Sequence, residues 1–354
     1  MIARHSVVYY EPGRFGGWPA NHGIWSWGDE ILVGFSRGYY QNRGDSHHID
    51  HDRPEEHCLA RSLDGGATWS VENPAERGFL VPQGESLHGT ELPGVRIPPL
   101  RDCPGGIDFT HDGFALTART SSVNAGQSRF SYSYDRGSTW EGPFRLPNYD
   151  TPGVAARTDY IVDGPGECTL FLTAAKSNGK EGRPFCARTV DSGATWSFLA
   201  WISPEPGGYA IMPASERLSE TEVLVIVRSH EGTRNWLSAY LSQDNGLNWH
   251  WLNNPADDLG KGNPASLLAL NDRRLCLIYG LRAEPFSMCA RLSSDGGRSW
   301  SETILLRDDG ASQDIGYPRS VLRPDGKVVT VYYFCDAATG PERYIAATTW
   351  DPCS

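Results

Sequence analysis

An eight-residue pattern, Ser/Thr-x-Asp-x-Gly-x-x-Trp, occurs five times in this chain and constrains its fold more than any other feature. It reads SLDGGATW at Ser62–Trp69, SYDRGSTW at Ser133–Trp140, TVDSGATW at Thr189–Trp196, SQDNGLNW at Ser242–Trp249 and SSDGGRSW at Ser293–Trp300. The aspartates stand at 64, 135, 191, 244 and 295, so successive copies lie 71, 56, 53 and 51 residues apart. A repeat of that period is one supersecondary unit that buries its apolar face only against its neighbours. Within each copy the glycine supplies a positive φ for a tight hairpin, and the aspartate and hydroxyl side chains bond nearby backbone N–H groups. The tryptophan opens the next strand.

Ahead of each copy lie apolar or alternating runs separated by turn signals, too regular in phrasing for helices. The first unit has GIWSWG, EILVGFSRG and HCLARSLD; the fourth has AIMPASERL, EVLVIVRS and WLSAYLSQD; the fifth has NPASLLALND, RRLCLIYGLR and SMCARLSSD. The second and third follow as GIDF/FALTARTSS/SRFSYSYD and TDYIVDG/CTLFLTAAKS/PFCARTVD. After the fifth copy, YPRSVLRPDG, KVVTVYYFCD and RYIAATTW form a sixth unit without its own hairpin motif. Its missing outer strand is expected from SVVYY at Ser6–Tyr10, which would close a ring and remove an open sheet edge.

These hairpins are Asp boxes, and the chain resembles the sialidase (neuraminidase) superfamily over nearly its whole length. The resemblance implies an all-β fold, a six-bladed β-propeller, with residues 1–354 forming a single catalytic domain. It also implies that the boxes join the third and fourth strands of each blade on the face away from the active site. The boxes are then structural, and they identify the scaffold without fixing the reaction.

Net charge is −11 and there is no Lys/Arg-rich run, which argues against nucleic acid or an anionic membrane as partner. No apolar stretch approaches a membrane span, and Met1–Tyr10 lacks the apolar core of a signal peptide. The chain as it stands reads as cytoplasmic, or as secreted if a leader has been removed. Eight scattered cysteines without C-x-x-C fit free thiols in strands better than a zinc or redox site, and no cofactor is expected.

On this scaffold the loops entering the innermost strands gather at the mouth of the central channel. They carry Asn21 and His22, Arg157 and Asp159, Met212 and Pro213, Asn263 and Pro264, and Tyr317 and Pro318. The second strands end in a cation in five blades: Arg37, Arg119, Lys176, Arg228 and Arg282. Converging arginines point to an anionic ligand, a carboxylated sugar, because the planar guanidinium binds carboxylate bidentately. The plainer reading pairs each with a carboxylate at its blade rim. The longest insertion, GYYQNRGDSHHIDHDRPEEH in blade one, carries Asp45, His47, His48, Asp50, His51, Asp52, Glu55, Glu56 and His57. It suits a general acid or base, with a mixed His/Asp metal site and a solvated loop as the other readings.

Typical retaining sialidases use an arginine triad, a tyrosine nucleophile assisted by a glutamate, and an acid/base aspartate. Tyr317 in DIGYPRSVL resembles the tyrosine, Arg228 in VLVIVRS the second arginine, and Asp45 stands near the acid/base position, with Asp50 and Asp52 as rivals. The departures are equally specific. Gly17-Trp18-Pro19 replaces the first R-I-P, whereas Arg96-Ile97-Pro98 follows the first box instead of preceding it. Met212 stands where the glutamate would be, and Phe286 near the third arginine, with Arg282 the nearest substitute. This leaves base duty to a histidine such as His22 or His48, or to a water activated by Asp50.

The resulting expectation is an exo-acting glycoside hydrolase of a terminal acidic sugar, sialic acid foremost. Its candidate catalytic residues are Tyr317, Asp50, His48, Asp45 and His22, and its candidate substrate-binding residues Arg37, Arg119, Arg228 and Arg282. The alternatives are another acidic-glycan enzyme, such as a uronate lyase or a different exo-glycosidase, and a non-catalytic glycan-binding propeller.

Overall fold

In all five repeat hairpins the Ser or Thr hydroxyl donates to its aspartate at 2.8–2.9 Å. The same aspartate oxygen accepts the backbone N–H four residues on, while the hydroxyl accepts the glycine N–H. These glycines stand at φ 80–89°, which only glycine adopts cheaply. They also leave space. A Cβ on Gly137 would come within 2.3 Å of Leu32, and one on Gly297 within 2.6 Å of Leu224, both on the preceding sheet. Each of these two hairpins is therefore a turn and a seat for the neighbouring sheet at once.

The computed structural model describes residues 3–82 and 94–353, arranged as the expected six-bladed β-propeller of antiparallel sheets. Blades four and five are regular four-stranded meanders, Tyr209–Arg217 to His250–Ala256 and Ala265–Ala269 to Ile304–Gly310. In blades one and three the inner edge is split, with Arg14–Gly17 and Ile24–Trp27 both pairing with Glu30–Tyr39, and Val154–Ala155 and Tyr160–Gly164 with Glu167–Ala175. Blade six, Gly316–Leu322, Val328–Phe334 and Tyr344–Trp350, is completed by Arg4–Tyr9, with Ser6 opposite Ala347. The predicted ring closure is thus present, starting two residues earlier than Ser6.

The predicted innermost strand of blade two, GIDF at Gly106–Phe109, does not form. Among the described residues this blade has three strands, Ala115–Thr120, Ser128–Ser133 and Glu141–Arg145. GIDF instead packs beneath the box of blade three, where the Ile107 N–H donates to the Ser192 carbonyl at 3.0 Å. Blade-three side chains satisfy the exposed edge, the Ala118 N–H donating to Thr158 Oγ1 at 3.0 Å and the Leu116 N–H to the Tyr160 hydroxyl at 3.4 Å. An edge capped this way needs no further strand.

Alternating strand residues fill the seams between blades. Leu116 and Ala118 pack with Phe130, Leu170 and Phe185, while Ala115 faces Trp25, Leu32 and Leu59 of blade one. Six of the eight cysteines are buried and all are free thiols. The channel itself is tied across by Arg319, which pairs with Asp159 at 3.0 Å and donates to the Ala20 and Thr158 carbonyls.

Candidate active site at the channel mouth

Three bulky residues enter blades one, four and six in the left-handed region: Trp18 at φ 61°, Met212 at 55° and Tyr317 at 50°. Each precedes a proline, Pro19, Pro213 or Pro318. A non-glycine residue held there costs on the order of 1–3 kcal/mol, and such strain concentrates at functional sites. In blades four and six the strained residue lies within a register shift, Ile211 to Ala214 and Gly316 to Arg319, which re-aims the side chain at the strand entry.

Buried Asn263 holds Tyr317 in place. Its Oδ1 accepts the Tyr317 N–H at 2.8 Å and its Nδ2 donates to the Ile315 carbonyl at 2.9 Å. Glycines make room for the amide: a Cβ on Gly316 would lie 2.1 Å from Asn263 Nδ2, and one on Gly280 2.5 Å away.

Around Tyr317 the structure gathers two of the predicted arginines. Arg228 Nη1 donates to the Tyr317 hydroxyl at 3.1 Å and Nη2 to the Lys261 carbonyl at 3.2 Å. Burial works against the Arg228 charge, but the Tyr317 and Tyr209 phenols outweigh it and raise its pKa. Arg282 donates to the Ile315 carbonyl at 2.9 Å and to the Tyr333 hydroxyl, with its Cζ 5.3 Å from the Tyr317 ring centre.

Sequence reasoning placed His47 in the acid–base cluster without singling it out, and missed its partner Asp314 beside them. His47 Nδ1 lies 2.6 Å from Asp314 Oδ1, and its ring meets Tyr317 edge-on at 5.9 Å between centroids and Trp18 at 5.1 Å. Asp314 is buried; its oxygens also accept the Tyr333 hydroxyl at 2.6 Å and the His48 N–H at 3.0 Å. Burial alone would push its carboxyl up, yet the His47 hydrogen bond and the His47, Arg282 and Arg343 charges hold it well below the usual carboxylate range. His47 keeps 34% of its side-chain surface open, so the imidazole is anchored on one nitrogen and accessible.

The other loop residues separate. Asp45 is 88% exposed at the rim, 3.2 Å from Gln313 Nε2 and 3.9 Å from Lys261 Nζ. His48 is buried, stacked on Tyr40, and lines a different cleft with Ser312, Asp336 and Arg343; burial and Arg343 lower its pKa. His47 and His48 turn to opposite sides of the loop, His47 toward Tyr317 and His48 toward Tyr40. Asp50 Oδ1 accepts the Asp52 N–H at 3.0 Å, closing its own turn. His22 is fully buried in the short helix Pro19–His22, 2.9 Å from Ser36 Oγ, and burial drives its pKa well below normal, so it is a neutral wall residue. Among the described residues no three His, Cys, Asp or Glu side chains converge as metal ligands.

The predicted ring of cations also divides. Arg37 is held by both oxygens of Glu56, at 2.8 and 3.0 Å, so the plainer reading applies to it. Lys176 Nζ donates to the carbonyls of Pro206, Gly207 and Gly208, stitching blade three to blade four. Arg119 is 4% exposed and lies in the seam between blades one and two, where Nη1 reaches the His22 carbonyl at 3.3 Å. Only Arg228 and Arg282 stand beside Tyr317.

The fold is shared with solved structures of low sequence identity. A protein of unknown function from Dyadobacter fermentans superposes with TM-score 0.71 at 20% identity, covering 98% of both chains. The NanB sialidase of Streptococcus pneumoniae gives 0.63 at 12% identity over 98% of this chain and 70% of that one. An α-L-arabinofuranosidase of Fusarium graminearum gives 0.60 at 12% identity over 96% and 97%. The family profile described as BNR repeat-like domain matches residues 114–330, a span that takes in four of the five Asp boxes and both arginines beside Tyr317. With that match over more than half its length, the chain belongs to the BNR repeat-like domain family.

Proposed function

We propose that this protein is an exo-acting glycoside hydrolase that removes a terminal acidic sugar, sialic acid foremost, from a glycan. The observation that carries the reading is the meeting of Tyr317 with Arg228 and the His47–Asp314 pair at the channel mouth. In this reading Tyr317 attacks the anomeric carbon, His47 takes the phenolic proton, and ionised Asp314 steadies the imidazolium. The Arg228 N–H supports the developing phenolate. This arrangement does the work of the glutamate whose position Met212 occupies. Asp45 protonates the departing glycosidic oxygen and then activates the water that frees the sugar. Arg228 and Arg282 supply positive charge for the sugar carboxylate.

A second reading, β-elimination on a uronate, draws on Met212 itself. With no glutamate there, His47 as base, Tyr317 as acid and Arg228 on the carboxylate suit proton abstraction beside a carboxylate.

Proton NMR of a mixed α2,3/α2,6-sialyllactose pool tests the first reading. Early release of the α-anomer fits a covalent Tyr317 intermediate, and early release of the β-anomer fits direct attack by water. No release, with ultraviolet-absorbing unsaturated uronate formed from uronate glycans, favours the second reading. Neither product overturns both.

A further inference from the structure

Arg119 and Arg129 face each other across the ladder of blade two, and both are 4% exposed. Their side chains, with His57 and Ser131, line a cavity of about 30 Å³ in the seam between blades one and two, roofed by Phe79–Val81. That is room for about two waters or one compact oxyanion, and too little for a sugar. Among the described residues, Arg119 reaches the His22 and Ala118 carbonyls at 3.3 Å and His57 Nδ1 at 3.5 Å. Arg129 Nη2 is buried with no hydrogen-bond partner. Among the described residues, neither guanidinium has a carboxylate within ion-pair distance.

Two like charges placed side by side away from water are costly unless a counter-charge joins them. Burial, with the neighbouring Arg129 charge, pulls the Arg119 pKa down to about 9, and burial pulls that of Arg129 down to about 10. Both therefore remain cations at neutral pH. The walls supply what an oxyanion needs, namely guanidinium N–H donors from two sides and a hydroxyl from Ser131.

We infer that the seam between blades one and two is a binding site for a small inorganic oxyanion, phosphate or sulfate, held by Arg119 and Arg129. The anion joins blade one to blade two, which has three strands among the described residues. The site is separate from the channel mouth, and the inference does not rest on the glycosidase reading.

The test follows thermal unfolding of the full chain, desalted into an anion-poor zwitterionic buffer, while phosphate, sulfate or chloride is added at millimolar concentrations. Saturable rises in Tm of about 3 °C are expected for phosphate or sulfate, and a smaller rise for chloride. If the anion is retained through desalting, ion chromatography of the acid-denatured protein instead finds about one phosphate or sulfate per chain. Arg129→Met should abolish either signal, and the milder Ser131→Ala should raise the half-saturating concentration several-fold. An equal Tm response in Arg129→Met, an unchanged midpoint in Ser131→Ala, or neither a saturable rise nor a released anion in the wild type would overturn the site. A larger rise with a sulfated monosaccharide than with sulfate would also overturn it, since that ligand does not fit the cavity.

Discussion

His47 and Asp314 lie 267 residues apart in sequence and 2.6 Å apart in space, bridging the blade-one insertion to the entry of blade six beside Tyr317. The contact fixes one ring nitrogen of a half-open imidazole and leaves the other for chemistry. If His47 exchanges protons in the reaction, His47→Gln should lower turnover about 10²–10⁴-fold while moving Tm little. Asp314→Asn should lower turnover and also destabilise, by about 3 kcal/mol, because buried Tyr333 and Arg343 lose an ionised partner. Turnover on the sialyllactose pool and calorimetry of both variants check this. A fully active His47→Gln would remove His47 from the mechanism.

Tyr317→Phe should reduce turnover by orders of magnitude with KM nearly unchanged, since it deletes the attacking oxygen and leaves the ring. Arg228→Lys should raise KM, because a point charge replaces the fork offered to the sugar carboxylate, and should lower kcat by a smaller factor than Tyr317→Phe, because the Tyr317 hydroxyl loses its Nη1 donor. Steady-state kinetics separate the two. If the KM and kcat effects were interchanged, the assigned roles would have to be exchanged too.

Gly316→Ala should act on Tyr317 through Asn263. Gly316 is at φ 102°, and a Cβ there would drive into the Asn263 amide, which holds the Tyr317 N–H. The expected result is a destabilised protein, by about 2–4 kcal/mol, with weakened turnover in the fraction that remains folded. Denaturant unfolding together with activity per folded molecule measures both.

Glu216 predicts a pH dependence of stability. Burial pushes its carboxyl up to about 7, against the Ala269 and Arg217 N–H bonds, whereas the unfolded value is about 4.3. Between those values the folded chain binds the proton more tightly. Stability from this group is therefore full below about pH 4.3 and falls as pH rises through about 7. Glu216→Gln should stabilise the protein at pH 8 by about 1–2 kcal/mol relative to its effect at pH 4. Equal effects at both pH values in urea titrations would show that Glu216 does not titrate as assigned.

The boxes should govern folding and not chemistry. Asp135 accepts the Ser133 hydroxyl at 2.8 Å, the Thr139 N–H at 2.8 Å and the Thr139 hydroxyl at 2.7 Å. Asp135→Ala should cost about 1–2 kcal/mol and leave kcat per folded molecule unchanged. A change in kcat at constant folded fraction would place the box in the reaction.

The scaffold was legible because its signals are local. Each box carries its own turn chemistry, and SVVYY at Ser6–Tyr10 is a β-branched and aromatic run that suits an outer strand in search of a partner. The missing strand of blade two was not legible, since nothing in GIDF reveals that Thr158 and Tyr160 cap the edge it would have covered. At the mouth, Tyr317 and Arg228 stood out by their places at strand ends. The choice between His47 and His48 depends on which way an irregular loop turns, and no periodicity records that. The Arg37 partner, Glu56, lies directly across a strand pair, so it is visible only once the register is known.

The pairing of Arg4–Tyr9 with Tyr344–Trp350 also sets an order of events in time. The earliest-made strand of the propeller must wait for one of the last, and His5 meets Thr348 across 343 residues. Contacts of such separation are slow to form. Until they form, Val8, Phe15, Phe35 and Val331 along the seam between blades six and one remain open to water or to another chain. Assembly of this ring is therefore most vulnerable to aggregation during the interval between synthesis of its first strand and arrival of its last.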